Sequence, residues 1–556
     1  MFEELLKACK RLEKAPTSSW DIPEDILQQV PNGVTAQDLR LFLSSDIDES
    51  ESITVLGSAY ATITKIAEGT TKGDSGDRNG LNAALIEIAD RISHIILPIC
   101  SGTSLDEDAT DYRALQRKGE LGLRAIQKLT NMSLEAPLHF YLSTLLRLVA
   151  FTDATDPWTT ADSSALARNL LEAQLQGLGE SQARSFIVEE ILTGFLRPLF
   201  SKSRPATVTA SGRKAEYVEP SRYESIDRES PETKPWKYTH RYAITVFAWA
   251  VQHADSPLLQ SNWPLFTPVL LTLLDESQHT GLKIRALGIF RTFWARCPAG
   301  LMRDTGLAEV FEQAVFPAVL YLPSLTPEDE SLQILSAAYP ALIEMAGLRY
   351  TDPRSEVEPK GEPQSQQITE SQRALLDKII REGIMVGYHH AKEHIRLVGL
   401  LCETLMCIIN GMGILAVKHL KVPCPPAPAP VPNATKDFIP MVTEIMTDPF
   451  GPKHPPSFKS ATTLLQTILR TCWPRVPFYC NEIINVLMLC WLNIEDEESL
   501  SDDGSTANDL KAELTKTADM LAAVMKAAKV DLNERVGPLV KKEPGLSKLF
   551  RNTPSA

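Results

Sequence analysis

Glycine is scarce in this chain, at 28 of 556 residues, and aromatic side chains make up only 7%. Both shortages count against sheet-rich folds, which lean on aromatic and β-branched residues. Phosphate-cradling loops are missing as well. No G-x-x-x-x-G-K-[ST] segment occurs, and "GDSGDRNG" (73–80) has neither the lysine nor a preceding strand. The G-x-S-x-G elbow of serine hydrolases is absent. Cysteine is present nine times, at 9, 100, 297, 402, 407, 424, 472, 480 and 490, but never at Cys-x-x-Cys spacing. Neither a disulfide framework nor a zinc finger is expected, and reduced thiols of a cytosolic or nuclear protein fit better. Positive charge is in deficit. The net charge is −14 and the pI about 5.4, so no duplex-binding surface is expected. Charges interrupt the first apolar face, Phe2, Leu5, Leu6, Cys9 and Leu12, so the N-terminus does not read as a signal peptide.

What remains is a hydrophobic fraction of 44% arranged almost everywhere with helical period. Leu85, Ile88, Ile92 and Ile95 form one stripe; Leu138, Leu142, Leu145 and Leu148 another; Leu332, Leu335, Tyr339 and Leu342 a third; Leu464, Ile468 and Cys472 a fourth. At Thr326–Asp329 an N-cap threonine, a proline in the first turn and a carboxylate three residues on predict a helix start. The longer breaks divide the chain. Helical repeats are expected over 1–200, with a flexible loop at 68–80, then a disordered insert at 201–235 nearly devoid of aliphatic residues. Further repeats follow over 236–350, a linker at 351–370, and more repeats over 371–492 with the extended "PCPPAPAPVP" insert at 423–432. An acidic loop (493–509) and C-terminal helices (510–556) end the chain, with a stripe of Leu510, Leu514, Leu521 and Met525.

Residues 263–294 read as two helices around a short polar break. In the second, Leu282, Ala286, Ile289 and Phe293 lie beside Leu287, Phe290 and Trp294, covering more than half the circumference. Such a helix has to touch neighbours on several sides, as the inner helix of a stacked array does. Asp275 in the turn and Lys283 and Arg285 early in the second helix occupy the places those residue types take in HEAT repeats. "FTPVLLTLLDE" (266–276) is echoed by "VFPAVLYLPSL" (315–325), with Pro268 and Pro317 spaced 49 residues apart. Prolines at 98, 198 and 440 make looser echoes. The expected fold is an all-α, HEAT/ARM-like α-solenoid of antiparallel helix pairs, interrupted by disordered inserts.

Beyond this pattern, "PWKYTHRYAITVFAWAVQHADSPLLQSNWPLFTPVLLTLLDESQHTGLKIRALGIFRTFW" (235–294) and "TGLAEVFEQAVFPAVLYLPSLTPEDESLQILSAAYPALIEMA" (305–346) resemble the second Tel-two-interacting protein family. The matching features are Leu-Leu-Asp at 273–275, the helix of Lys283 and Gly288, "TGL" at 305–307 and Tyr-Pro-Ala-Leu at 339–342. The resemblance implies a non-catalytic subunit of the TTT co-chaperone complex. It implies direct binding of the first Tel-two-interacting protein and, through it, contact with Tel-two. Phosphatidylinositol-kinase-related kinases and Hsp-ninety adaptors would be indirect partners, in cytoplasm and nucleus. No cofactor, nucleic acid or membrane is implied. A trafficking or transport scaffold of the same fold is the alternative.

Few residues carry a chemical signal. "HAKEH" (390–394) matches the H-x-x-E-H pattern in which His390 and His394, one helical turn apart, ligate zinc and Glu393 acts as base. No recognisable second motif offers the third ligand that a zinc peptidase needs, so a solvated helix face is the simpler reading. "LVGLLCETLMCIINGMGILAV" (397–417) approaches the roughly 20 residues of a membrane span, but Glu403 opposes insertion. A buried helix ending at Asn410–Gly411, followed by another, explains the same residues. Ser499 and Ser501 precede acids and suit acidophilic kinases. Lys283, Arg285 and Arg296 are the candidate partner contacts, together with Trp236 and Trp263, which read as exposed positions at helix starts.

Overall fold

A computed structural model describes residues 2–14, 22–44, 48–70, 78–100, 112–132, 138–203, 230–276, 279–350, 368–420, 438–448, 454–498 and 504–551. The regular secondary structure among these residues is entirely helical. In chain order the helices are α1 (Glu3–Cys9), α2 (Glu24–Gln28), α3 (Ala36–Leu43), α4 (Ser52–Thr70), α5 (Arg78–Ile95), α6 (Tyr112–Asn131), α7 (Leu142–Val149) and α8 (Ala161–Gln176). Then come α9 (Glu180–Ser185), a π-helical stretch (Phe186–Leu196) that continues it into α10 (Arg197–Phe200), α11 (Pro235–Tyr238), α12 (Ala243–His253) and α13 (Ser256–Leu274). The next are α14 (Thr280–Arg296), α15 (Ala299–Asp304), α16 (Leu307–Val315), α17 (Glu328–Met345), α18 (Glu370–Lys378), a second π-helical stretch (Ile379–Met385), α19 (Val386–Ala391) and α20 (Ile395–Met412). The last are α21 (Phe438–Met446), α22 (Pro455–Thr471), α23 (Cys480–Glu498), α24 (Gly504–Ala527) and α25 (Asn533–Lys542).

The expected disordered insert, linker and proline-rich segment fall largely on 204–229, 351–367 and 421–437, outside the described residues, as do 71–77 of the expected flexible loop and 499–503 of the acidic one. Helices run further into the last two than the sequence predicts. Helix α4 reaches Thr70 and α5 begins at Arg78; α23 reaches Glu498 and α24 begins at Gly504.

Capping chemistry starts three of these helices. Thr35, Thr160 and Thr369 each accept a hydrogen bond from the backbone N–H three residues on, and the side-chain oxygens of Asp38, Ser163 and Gln372 accept one from the threonine N–H. Such reciprocal pairs satisfy two of the donors a helix start leaves orphaned. The box expected at Thr326 is not formed. Pro327 caps α17 without a side-chain bond, and Asp329, the carboxylate three residues after Thr326, is held by Arg396 at 2.8 Å.

The helices divide into two units, 1–275 with 296–307, and 276–295 with 308–556. In the first, α3 pairs with α4, α5 with α6 and α7 with α8, while α3, α5, α7 and α12 stack in one row and α4, α6 and α8 in another. This two-row stack of hairpins is the α-solenoid arrangement. Its densest element is α4, every residue of which from Thr54 to Ile63 is buried. The hydroxyls of Ser58 and Thr62 satisfy themselves on the carbonyls of Thr54 and Ser58, at 2.9 and 2.8 Å, so polar residues are tolerated there. Glycine lets α6 approach its neighbours. A Cβ at Gly119 would lie 2.6 Å from the Phe151 ring, and one at Gly122 would collide with Ile96.

The second unit repeats the pattern. Helices α17, α20, α22 and α24 stack in one row; α21 pairs with α22, α23 with α24, and α21 packs on α23. Residues 395–419 form the one described segment long and apolar enough by composition to cross a membrane. Yet Leu397, Leu401, Cys402, Leu405, Ile408 and Ile409 of α20 are fully buried against other helices, as in a core helix. Helix α20 ends where Gly413 takes a φ of +56°, slightly beyond the expected Asn410–Gly411, and continues as a 3-10 turn (Gly413–His419). The proline echoes are not equivalent. Pro268 lies inside α13, whereas Pro98 follows α5 and Pro317 sits in the 3-10 turn (Phe316–Leu320) that ends α16. Proline there terminates the preceding helix rather than bending it.

Candidate interaction surfaces

Two of the expected partner contacts are interior residues. Trp236 is 0% exposed; its ring stacks on Phe200 with centroids 5.1 Å apart, and its Nε1–H donates to Ser203 Oγ at 2.9 Å. Its expected exposure is therefore corrected: the apolar ring finds partners on the far side of a long insert. Lys283 is also buried. It falls on the same stripe of α14 as Ala286, Leu287, Phe290 and Phe293, so helical spacing carries it inward. Trp263 is half-buried and lies two turns inside α13, not at a helix start. Arg285 is half-buried. Arg296 is exposed, and its guanidinium donates to the carbonyl of Ala254, the C-cap of α12, at 3.1 Å, which ties it to a helix end. Ser499 and Ser501 lie outside the described residues.

His390 and His394 do not share a helix. Helix α19 ends at Ala391, and His394 is the N-cap of α20 with φ −97° and ψ 89°. The one-turn spacing that the zinc reading requires is lost at that break. His394 instead shares Glu328 with Arg396, each at 3.0 Å, while Arg396 also holds Asp329 at 2.8 Å. The hydrogen bond from His394, with help from Arg396, keeps the Glu328 carboxyl below its usual range. Among the described residues no three His, Cys, Asp or Glu side chains gather closely enough to hold a metal ion.

Other ionic groups stitch helices together. Asp90 of α5 receives Ser143, Thr144 and Arg147 of α7, the guanidinium at 2.7 Å. Burial pushes the Asp90 carboxyl up, but the Ser143 bond, the Arg147 charge and the Thr144 bond outweigh it and hold it below the usual range. Asp377 pairs with Lys418 and, at 3.0 Å, with His419. The thiols of Cys297, Cys402, Cys472 and Cys490 are pushed up to about 12 by burial, so they stay protonated and poorly nucleophilic.

The exposed apolar residues lie elsewhere. Between α22 and α23, Trp473 is 49% and Phe478 66% exposed, and the Arg475 guanidinium sits 5.5 Å from the Phe478 ring centroid. Pro474 and Pro477 restrict this loop, so two rings and a cation are displayed at low entropic cost. Trp and Arg are the residue types that dominate interface energetics. This loop is not among the contacts expected from the sequence; the run "WPRVPF" is its only local signal, and it does not mark which rings face outward.

A family model described as the Tti2 family matches residues 144–453, more than half of the chain. The chain belongs to the Tti2 family. The Tti2-matching span contains Trp236, Lys283 and His394, whereas the Trp473–Phe478 loop lies beyond it. No curated protein gives a significant match. Among solved structures, Kap121p is similar at 10% identity with a TM-score of 0.35, over 98% of this chain and 46% of that one. Kap121p bound to Nup53p gives 10% identity and a TM-score of 0.34, and Kap121p bound to Pho4p gives 11% and 0.32, with the same coverage. This Tti2-family chain thus spans about half the length of the karyopherin chains it matches, and at such scores the likeness says nothing about partners.

Proposed function

We propose that this chain is a non-catalytic scaffold subunit of the TTT complex. It binds the first Tel-two-interacting protein directly and Tel-two through it. The assembly supports the maturation and stability of phosphatidylinositol-kinase-related kinases with the Hsp-ninety system, in cytoplasm and nucleus. The observation that carries this reading is the Tti2 family match over 144–453. Physical chemistry agrees with it: stacked hairpins offer long ridged surfaces suited to many modest contacts with another protein. The test is affinity capture of the tagged full chain from cells, followed by mass spectrometry. Recovery of the first Tel-two-interacting protein in near-equal amount, with Tel-two, is expected. Depletion of the chain should lower the steady-state amount of the kinases. Persistent recovery of vesicle coats or transport receptors in their place would overturn the proposal.

A further inference from the structure

We propose that a groove on the second unit, between α23, α24 and the C-terminal turn Pro544–Lys548, is a docking site for an extended acidic peptide segment of a partner protein. The groove has a volume of about 820 Å³. Its lining reverses the charge of the chain. Lys511, Lys516, Lys548 and Arg551 line it against a single carboxylate, Asp519, in a protein whose net charge is −14. Lys516, Lys548 and Arg551 are exposed, so three cations are presented to solvent. Met520 and Trp491 supply an apolar component.

Trp491 brings an unsatisfied donor to the groove. It is 3% exposed, the Lys511 ammonium lies 5.4 Å from its ring centroid, and its indole N–H is buried without an acceptor. A buried donor with no partner is uncommon in folded proteins. An incoming carboxylate that draws Lys511 aside would pair with its ammonium and supply the acceptor the indole N–H lacks.

Besides Asp519, carboxylates among the described residues stand near these cations, Glu513 at 3.2 Å from Lys516 and Glu495 at 4.0 Å from Lys511. The first pair is solvent-exposed and the second sits at the limit of ion-pair distance, so a ligand with several carboxylates can replace both. The site is short, and the rest of the chain is acidic, which disfavours a long nucleic acid and favours a peptide. Charge of this kind acts mainly on encounter rate and selectivity, while the apolar lining accepts one side chain of the peptide.

The inference does not rest on the TTT reading. Its test is fluorescence anisotropy of the intact chain with a labelled twelve-residue Glu/Asp/Ser peptide carrying one central leucine. A Lys-substituted copy and single-stranded dT12 serve as comparisons. Saturable binding that weakens with added salt is expected for the acidic peptide alone. Lys511→Glu with Lys548→Glu should weaken it at least tenfold, and Trp491→Phe, which removes the indole N–H, several-fold. Lys526→Glu, on an exposed part of α24 outside the groove, should change it less than twofold. Should the double reversal fail to fold by circular dichroism, Lys548→Gln with Arg551→Gln replaces it, because both side chains are exposed. Absence of saturable binding, an equal loss with Lys526→Glu, or equally tight binding of dT12 would each overturn the proposal.

Discussion

Trp236→Ala separates an interior tryptophan from an interface one. The side chain is fully buried, stacks on Phe200 at 5.1 Å with the planes 11° apart, and donates to Ser203 at 2.9 Å. Removing a core tryptophan costs about 3–5 kcal/mol. Of that, the aromatic pair contributes roughly 0.5–1.5 kcal/mol and the indole bond about 0.5–1.5 kcal/mol. Trp236→Phe keeps the stack and loses the N–H, so a loss of about 1–2 kcal/mol is expected from the missing bond and ring volume together. With two units in the chain, a single denaturation midpoint is a poor measure. Hydrogen exchange followed by mass spectrometry on the full chain reads the region directly. Protection of amides in 186–203 and 235–250 should fall by about two to three powers of ten for the alanine variant, since about 1.4 kcal/mol corresponds to tenfold. If exchange and melting stay at wild-type values while partner capture is lost, the ring faces outward and the burial described above is refuted.

Glycine positions offer a paired prediction. Gly122→Ala should destabilise by about 1–3 kcal/mol, because the added methyl meets Ile96. Gly288→Ala, mid-helix in α14 with nothing within 4 Å, should stabilise by about 0.5–1 kcal/mol. A calorimetric scan in which both shift the same way would count against the packing of α6. Mild acid should also destabilise the protein. His419 is buried; burial holds its pKa below the ordinary 6.5 even though the Asp377 hydrogen bond raises it. His94, His240 and His253 are lowered in the same direction, chiefly by burial. The unfolded chain therefore takes up protons that the folded one resists. This stability is complete above about pH 6.5 and is lost as the pH falls from there towards the folded values. Melting temperature should drop between pH 7.5 and 5.5, less steeply in His419→Gln; a flat or rising profile would contradict the buried neutral imidazole.

Elements with uninterrupted helical period were legible from the residues alone. Leu510, Leu514, Leu521 and Met525 are all buried along α24, as their spacing predicts. What escaped was decided by distant partners. Trp236 is buried by Phe200 and Ser203, across a polar stretch that reads as a boundary and so suggests exposure. Thr326 does not form its box with Asp329, whose carboxylate is held by Arg396, more than sixty residues on. The break between α19 and α20 has no glycine or proline at 391–394 to announce it, so "HAKEH" looks like one helical turn until the backbone is seen. Lys283 was misread for a different reason: a long side chain on an apolar stripe carries its methylenes inward despite its charge.

The row-by-row stacking has a consequence for synthesis. In the first unit α5 rests on α3, and α6 on α4; in the second α22 rests on α20, and α24 on α22. Within these rows a hairpin thus finds its docking site on polypeptide already made. A chain so arranged can assemble from the amino terminus as it leaves the ribosome, keeping unfinished greasy surface to about one hairpin at a time.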